Sequence, residues 1–432
     1  MRHFIATLFL ILAFGMTAQG ADNWQIIHAG KLLAHPGQKP LERQTVIVHG
    51  NRIEAVRAGF LSPADAGHAE ATVVDLSGRF VMPGMIDSHV HLTGELNAAA
   101  KLNRVTQSDA DVALAAAQFA RRTVLAGFTT VRNVGSGKGR AIFALRDAIA
   151  AGKVPGPRIL AAGSTVTPTG GHGDVHGYRE DIMALMGSSG VCDGADDCRR
   201  AVRAQVKRGS DVIKITATGG VLSETAAGTG QQFTDDELRA IISTAHSLGR
   251  KVAAHAHGVD GINAALRAGI DSIEHGTYLN DESIKLFHKT GAYLVPTIVA
   301  GETVARLAKN SKFMPPPIRA KALEVGPRML AMAAKAYKGG VKMAFGTDSG
   351  VSRHGRNARE LVLMHKAGIP NDRILVMVTL NAADLLGIRD RVGSIESGKA
   401  ADLIAVSGNP LKDISILSNV GFVMRAGHIL KP

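Results

Sequence analysis

Two histidines two residues apart, His89 and His91, close the segment Val81-Met-Pro-Gly-Met-Ile-Asp-Ser-His-Val-His-Leu92. In a strand, side chains at i and i+2 share one face, and two imidazoles there can reach a single metal ion. The same pair could instead lie on the wet face of a strand as ordinary polar residues. Against that, the run from Phe80 to Ile86 is too apolar for an exposed edge, and four further segments carry residues of the same kind. They are Lys214 in Asp-Val-Ile-Lys-Ile-Thr, His255 and His257 in Ala-His-Ala-His-Gly, His275 in Ile-Glu-His-Gly, and Asp348 in Phe-Gly-Thr-Asp-Ser-Gly. A lysine between Ile213 and Ile215 is costly to bury as a lone ammonium, and pairing with a carboxylate is the common structural solution.

Each of these residues ends a short apolar run. Eight strand candidates can be marked, at 81–91, 129–134, 158–162, 212–216, 252–257, 272–275, 293–299 and 343–348. Amphipathic stretches such as 111–126, 235–248, 258–268 and 317–337 separate them. That alternation predicts a parallel α/β fold, and eight units predict a (β/α)8 TIM barrel with its active site at the C-terminal strand ends. The flanks read differently: 24–75 and 392–430 are Gly-rich alternating strands without a ligand-like cluster. The expected division is a signal peptide at 1–20, a small β-sandwich domain from 21–80 and 391–432, and a hydrolase barrel over 81–390.

Composition fits a globular enzyme, with 432 residues, 45% hydrophobic and 20% charged, and with 49 glycines suited to many strand-to-helix turns. The first twenty residues have a basic start, a short apolar centre and small residues at Ala18 and Gly20. They read as a secretory signal cleaved after Gly20, although a buried N-terminal strand is the alternative. The expected location is therefore secreted or periplasmic, with no membrane span after cleavage. In an oxidising compartment, Cys192 and Cys198 either form one disulfide across a short loop or remain free. The formal charge of +13 can draw anionic substrates or envelope surfaces. No dense Lys/Arg run carries interleaved aromatics, so no nucleic-acid partner is expected.

Taken together, Gly84-Met-Ile-Asp-Ser-His-Val-His91, Ile213-Lys-Ile, His255-Ala-His-Gly, Ile273-Glu-His-Gly and Gly346-Thr-Asp348 resemble the metal-dependent amidohydrolase superfamily, in the family's order. The resemblance extends over the barrel and both flanking β-segments. Within the superfamily the chain looks most like the prolidase-like branch, binuclear metallo-carboxypeptidases of dipeptides and N-acyl amino acids, which ochratoxin-degrading amidohydrolases also resemble. The resemblance implies two divalent metal ions, expected to be zinc. His89, His91 and Asp348 would hold the more buried ion, His255 and His275 the second, and a carboxylated Lys214 would bridge them. It also implies hydrolysis of an amide by a metal-bridging hydroxide, with Asp348 as general acid/base. Barrels of this type often associate, so a homo-oligomer is expected.

Substrate contacts are less firmly marked. His257 shares a strand face with His255; it is either a core histidine or, as the resemblance implies, a substrate contact. His172, in Thr-Pro-Thr-Gly-Gly-His-Gly-Asp, is a solvent-facing loop residue or the branch's hydrogen-bond donor to the substrate carbonyl. The loop 219–232 reads as a lid or specificity loop, or as merely mobile. Arg353, His354 or Arg356 could bind a substrate α-carboxylate, or an arginine there could only cap the next helix. The leading expectation is release of a C-terminal amino acid from a dipeptide or N-acyl amino acid, with ochratoxin-type aryl amides included. The alternatives are a ring-opening hydrolase or deaminase of the same superfamily and, with all six ligand positions filled, less readily a non-catalytic scaffold.

Overall fold

The computed structural model describes residues 23–432 apart from 138, 188, 225–227 and 311–313. The expected signal segment at 1–20 lies outside the described residues.

Two parallel sheets carry the central region: Met85–Val90, Phe128–Asn133 and Arg158–Ala161 in one, Ile213–Thr216, Val252–Ala256, Ser272–His275 and Tyr293–Val295 in the other. Single bridges join them. Val166 pairs with Ile215, Leu294 with Met343, and Val90 with Ser349, all parallel. Helices separate the strands, which makes this a mixed α/β fold of the TIM-barrel type. Their ends follow local chemistry: Ser108 and Asp111 form a capping box at the start of Asp109–Leu125, Thr234 and Glu237 another at Asp235–Ser247, and Gly209 closes Ala195–Arg208 in the left-handed region.

Several expected boundaries move for identifiable reasons. The expected strand at 81–91 is two strands, because Pro83 ends Thr72–Pro83 and the chain restarts at Met85. Gly84 between them packs so tightly that a Cβ would come within 2.1 Å of Thr129 Oγ1. The expected strand at 293–299 stops at Val295, because Thr297 takes a φ of 49° and Ile298–Asn310 is helical. No strand forms at 343–348; an irregular segment runs there, tied by Ser88 N–H to Phe345 O and by Asp348 N–H to His89 O. The amphipathic stretch expected at 317–337 is the helix Pro316–Lys338, and a separate helix, Ile298–Asn310, precedes it.

Both flanks meet in one seven-stranded sheet. Thr72–Pro83 pairs with Trp24–Leu32 on one side and with Leu403–Val406 from the C-terminal segment on the other. Its apolar side chains, including Ile27, Val46, Val81, Leu403 and Met424, form their own cluster. Cys192 and Cys198 are joined in a disulfide.

Candidate active site

The structure gathers the chemistry-bearing residues into two adjacent groups. His89, His91 and Asp348 bring ligand-type atoms within 4.8 Å of one another, and so do His255, His257 and His275. The rings of His89 and His275, 5.1 Å apart, join the groups. Asp348 Oδ1 lies 3.5 Å from His89 Nε2 and 3.3 Å from His91 Nε2, yet it is buried with no hydrogen-bond partner. An acceptor held in that state is suited to a cation.

What the histidines do with their other nitrogen supports the same use. His89 Nδ1 donates to Glu274 at 2.7 Å and His91 Nδ1 donates to the Gly135 carbonyl at 3.0 Å. His257 Nδ1 meets Thr277 Oγ1 at 2.8 Å, and His275 Nδ1 meets Thr297 Oγ1 at 2.7 Å. His255 makes a longer contact, Nε2 to the Gly219 carbonyl at 3.4 Å. Each ring thus has an outward partner that orients it and leaves the opposite nitrogen for the site, the arrangement metal-binding imidazoles require. Backbone strain accompanies it: His275, Thr297 and Asp348 are non-glycine residues at φ of 72°, 49° and 56°.

Burial keeps the enclosed imidazoles of His89, His172, His255, His257 and His275 neutral. Burial first, then the Lys214 charge, pulls His89 down to about 4. Burial likewise holds His257 at about 4 and His172 at about 3, and drives His255 and His275 well below the ordinary range. Neutral imidazole is the form that ligates or donates a single N–H. Lys214 is buried, which lowers it to about 8 against the opposing pull of Glu274 and Asp348.

Beneath the first group lies a pair that the residue pattern did not single out. Arg132 is buried, donates to the Ser88 carbonyl, and ion-pairs with Glu274 Oε1 at 2.8 Å, while Glu274 Oε2 holds His89. Burial would raise Glu274, but Arg132 and the His89 hydrogen bond prevail and hold it at about 2. The signal was present: an arginine in Thr-Thr-Val-Arg-Asn and a glutamate in Ser-Ile-Glu-His are opposite charges in two otherwise apolar strands. Thr277 and Thr297 had no such signal, since nothing distinguishes a threonine that orients a ring from any other.

The expected substrate contacts divide. His172 lies against His255 with ring centroids 4.2 Å apart and planes tilted by 31°, and its Nδ1 is buried without a partner. His257 joins the second group directly. Arg353, by contrast, is exposed. His354 Nε2 donates to the Gly94 carbonyl at 2.9 Å and its ring stacks on Phe119, so that nitrogen is committed to packing rather than turned to a ligand. The loop 219–232 begins against the site, where a Cβ on Gly220 would fall 2.3 Å from His172 Cε1. Residues 225–227 of that loop lie outside the described residues.

Histidine and carboxylate donors at the strand ends of a TIM-barrel-type fold define the class, a protein with groups suited to divalent metal ions. Residues 80–430 match the amidohydrolase family model, and the chain belongs to that family, in its prolidase-like branch. It is 30% identical to ochratoxinase of Aspergillus niger over 428 residues, covering 94% of this chain and 86% of the relative. Among solved structures, a Xaa-Pro dipeptidase with methionine bound in its active site matches with a TM-score of 0.88 and 43% identity, over 95% of this chain and 100% of that one. A prolidase complexed with N-methylphosphonate-L-proline matches at 0.84 and 30%, again over 95% and 100%. Amide hydrolysis is the class of reaction these relatives support.

Proposed function

We propose that this chain is an exported binuclear metallo-amidohydrolase that releases a C-terminal amino acid from a dipeptide or N-acyl amino acid, aryl amides of the ochratoxin type included. The observation that carries the reading is the pair of adjacent donor groups, joined through the His89 and His275 rings, with rings oriented from behind and a buried lysine on the strand next to the one that carries His255. His89, His91 and Asp348 would hold one ion, His255 and His275 the other, and Lys214 as its carbamate would bridge. Burial of the Lys214 amine supports this, because lowering it to about 8 raises the neutral fraction that can add carbon dioxide. The two ions, expected to be zinc, supply Lewis-acid activation of water and of the scissile carbonyl.

The chain's own residues supply the rest. Asp348, with an unpartnered buried oxygen, accepts a proton from the attacking water and returns it to the leaving nitrogen. His172, neutral at any working pH, donates its N–H to the substrate carbonyl oxygen as charge develops there. His257 keeps the second group tightly packed and faces the substrate.

The single bridges at Val166, Leu294 and Val90 support closure of the seven central strands and the segment at 343–349 into a barrel over 81–390. The single sheet shared by the two termini supports one small β-domain built from 21–80 and 391–432. The disulfide supports export to an oxidising compartment.

A panel of N-acyl amino acids and Xaa-Pro, Xaa-Arg and Xaa-Phe dipeptides, read by amino-acid release, tests the reaction. Turnover of acyl amino acids with two metal ions per chain after purification in zinc and bicarbonate is expected. Activity on lactones or aminopurines with none on peptides or acyl amides would overturn the substrate class, and fewer than one ion per chain would overturn the binuclear centre.

A further inference from the structure

Every substrate in the proposed class ends in a carboxylate, and a site that reads it needs a cation within reach. The cations near the histidine groups are few. Arg132 is committed to Glu274, Lys214 is given to the bridge, and Arg353 and Arg356 are exposed. Lys101, at the far side of the loop, is paired with Glu224.

Lys321 remains. It projects from the helix Pro316–Lys338, is half-buried, and has no ion-pair partner among the described residues. Its Nζ donates to two backbone carbonyls of the loop, Gly220 at 2.8 Å and Ser223 at 2.7 Å. Gly220 lies against the His172 ring, which sits 4.2 Å from the His255 ring, so the ammonium stands one residue from the second histidine group. Carbonyls satisfy two of its three N–H donors but neutralise no charge. A partly desolvated cation without a counterion, beside a site for anionic substrates, is unfinished as an electrostatic arrangement.

We propose that Lys321 is the residue that reads the substrate's C-terminal carboxylate, its third N–H and its charge completing the subsite once substrate lies under the loop. The two carbonyl contacts aim the ammonium, and they tie recognition to the loop's position over His172. This inference rests on the proposed carboxypeptidase-like reaction and names the subsite that sets its specificity.

The test compares N-acetyl-L-methionine with its C-terminal amide in the wild-type, Lys321→Met and Lys321→Arg proteins, following both cleavage of the acetyl amide and binding by calorimetry. Wild type should favour the acid on the order of 10²-fold, and Lys321→Met should lose that preference because KM rises far more for the acid than for the amide. Lys321→Arg should keep part of it. If Lys321→Met retains the full preference, or weakens acid and amide equally, Lys321 is only a pin for the loop and the proposal falls. If wild type cleaves neither compound, the reading of the reaction fails; the calorimetric preference and its loss in Lys321→Met then decide the subsite on its own.

Discussion

The two donor groups are built on different chemistry. The first contains a carboxylate, Asp348, and is braced by a fully ionic pair, Arg132 and Glu274, behind His89. The second is all imidazole and is braced by two hydroxyls, Thr277 behind His257 and Thr297 behind His275. An anionic brace makes its imidazole a stronger donor, and a hydroxyl does so weakly. The difference teaches that two ions bound here would not be equivalent. The first group should bind tightly and resist exchange, while the second should release its ion first.

Only Lys214 would serve both groups, so replacing it should erase the comparison altogether. Lys214→Ala is expected to lower turnover on the order of 10³-fold, equal to about 4 kcal/mol of barrier, and to leave less than two ions per chain. Metal analysis alongside amino-acid release checks this. Near-parental turnover would contradict the bridge.

Glu274→Gln attacks the brace of the first group alone. It leaves Arg132 buried beside a neutral partner, a change that costs about 3–5 kcal/mol where a buried pair is broken. Metal affinity at the first group should fall about 10–100-fold. Chemical denaturation and competition with a chelator separate the two effects. An unchanged order of metal release would show that the ionic brace does not set the difference between the groups.

How much of this was legible depends on what kind of residue acts. His89, His91, Lys214, His255, His275 and Asp348 stood out because such residues are rare at the ends of apolar runs, and the strand period put His89 with His91 on one face. The fold followed from the alternation of runs, but the eighth run did not become a regular strand, because Asp348 sits in the left-handed region and the ladder is held by single contacts. His354 was marked by its flanking arginines as part of an anion site; in the structure its ring stacks on Phe119 and Nε2 donates to the Gly94 carbonyl, while Nδ1 is buried without a partner. Lys321 was invisible, since only the fold brings a helix residue to a loop a hundred positions earlier.

Acid separates the groups on a different axis. The buried histidines have folded values far below their ordinary 6.5, with His89 and His257 at about 4. Between those values the unfolded chain binds more protons than the folded one, so stability is full above about 6.5 and falls as pH drops toward 4. Glu274 is lowered from 4.5 to about 2, so its contribution is full above 4.5 and is lost progressively as pH falls from 4.5 to about 2. Denaturation of the metal-free protein should therefore weaken first in the histidine window, while the ionic brace persists to lower pH. In Glu274→Gln the lower window should flatten and the upper one remain.

The smallest expected effect belongs to the hydroxyl brace. Thr297→Ala removes the oxygen 2.7 Å from His275 Nδ1 and leaves that nitrogen without its partner, a loss of about 1 kcal/mol where water replaces the contact. The backbone there, at a φ of 49°, suits neither threonine nor alanine, and the β-branched residue suits it less, so some strain is relieved and offsets part of the cost. Metal affinity at the second group should drop less than about tenfold, with the first group unchanged. A stepwise chelator titration reads both ions in one experiment. A loss as large as that of Glu274→Gln would mean that position of the ring, rather than the charge behind it, governs how tightly each group holds its ion.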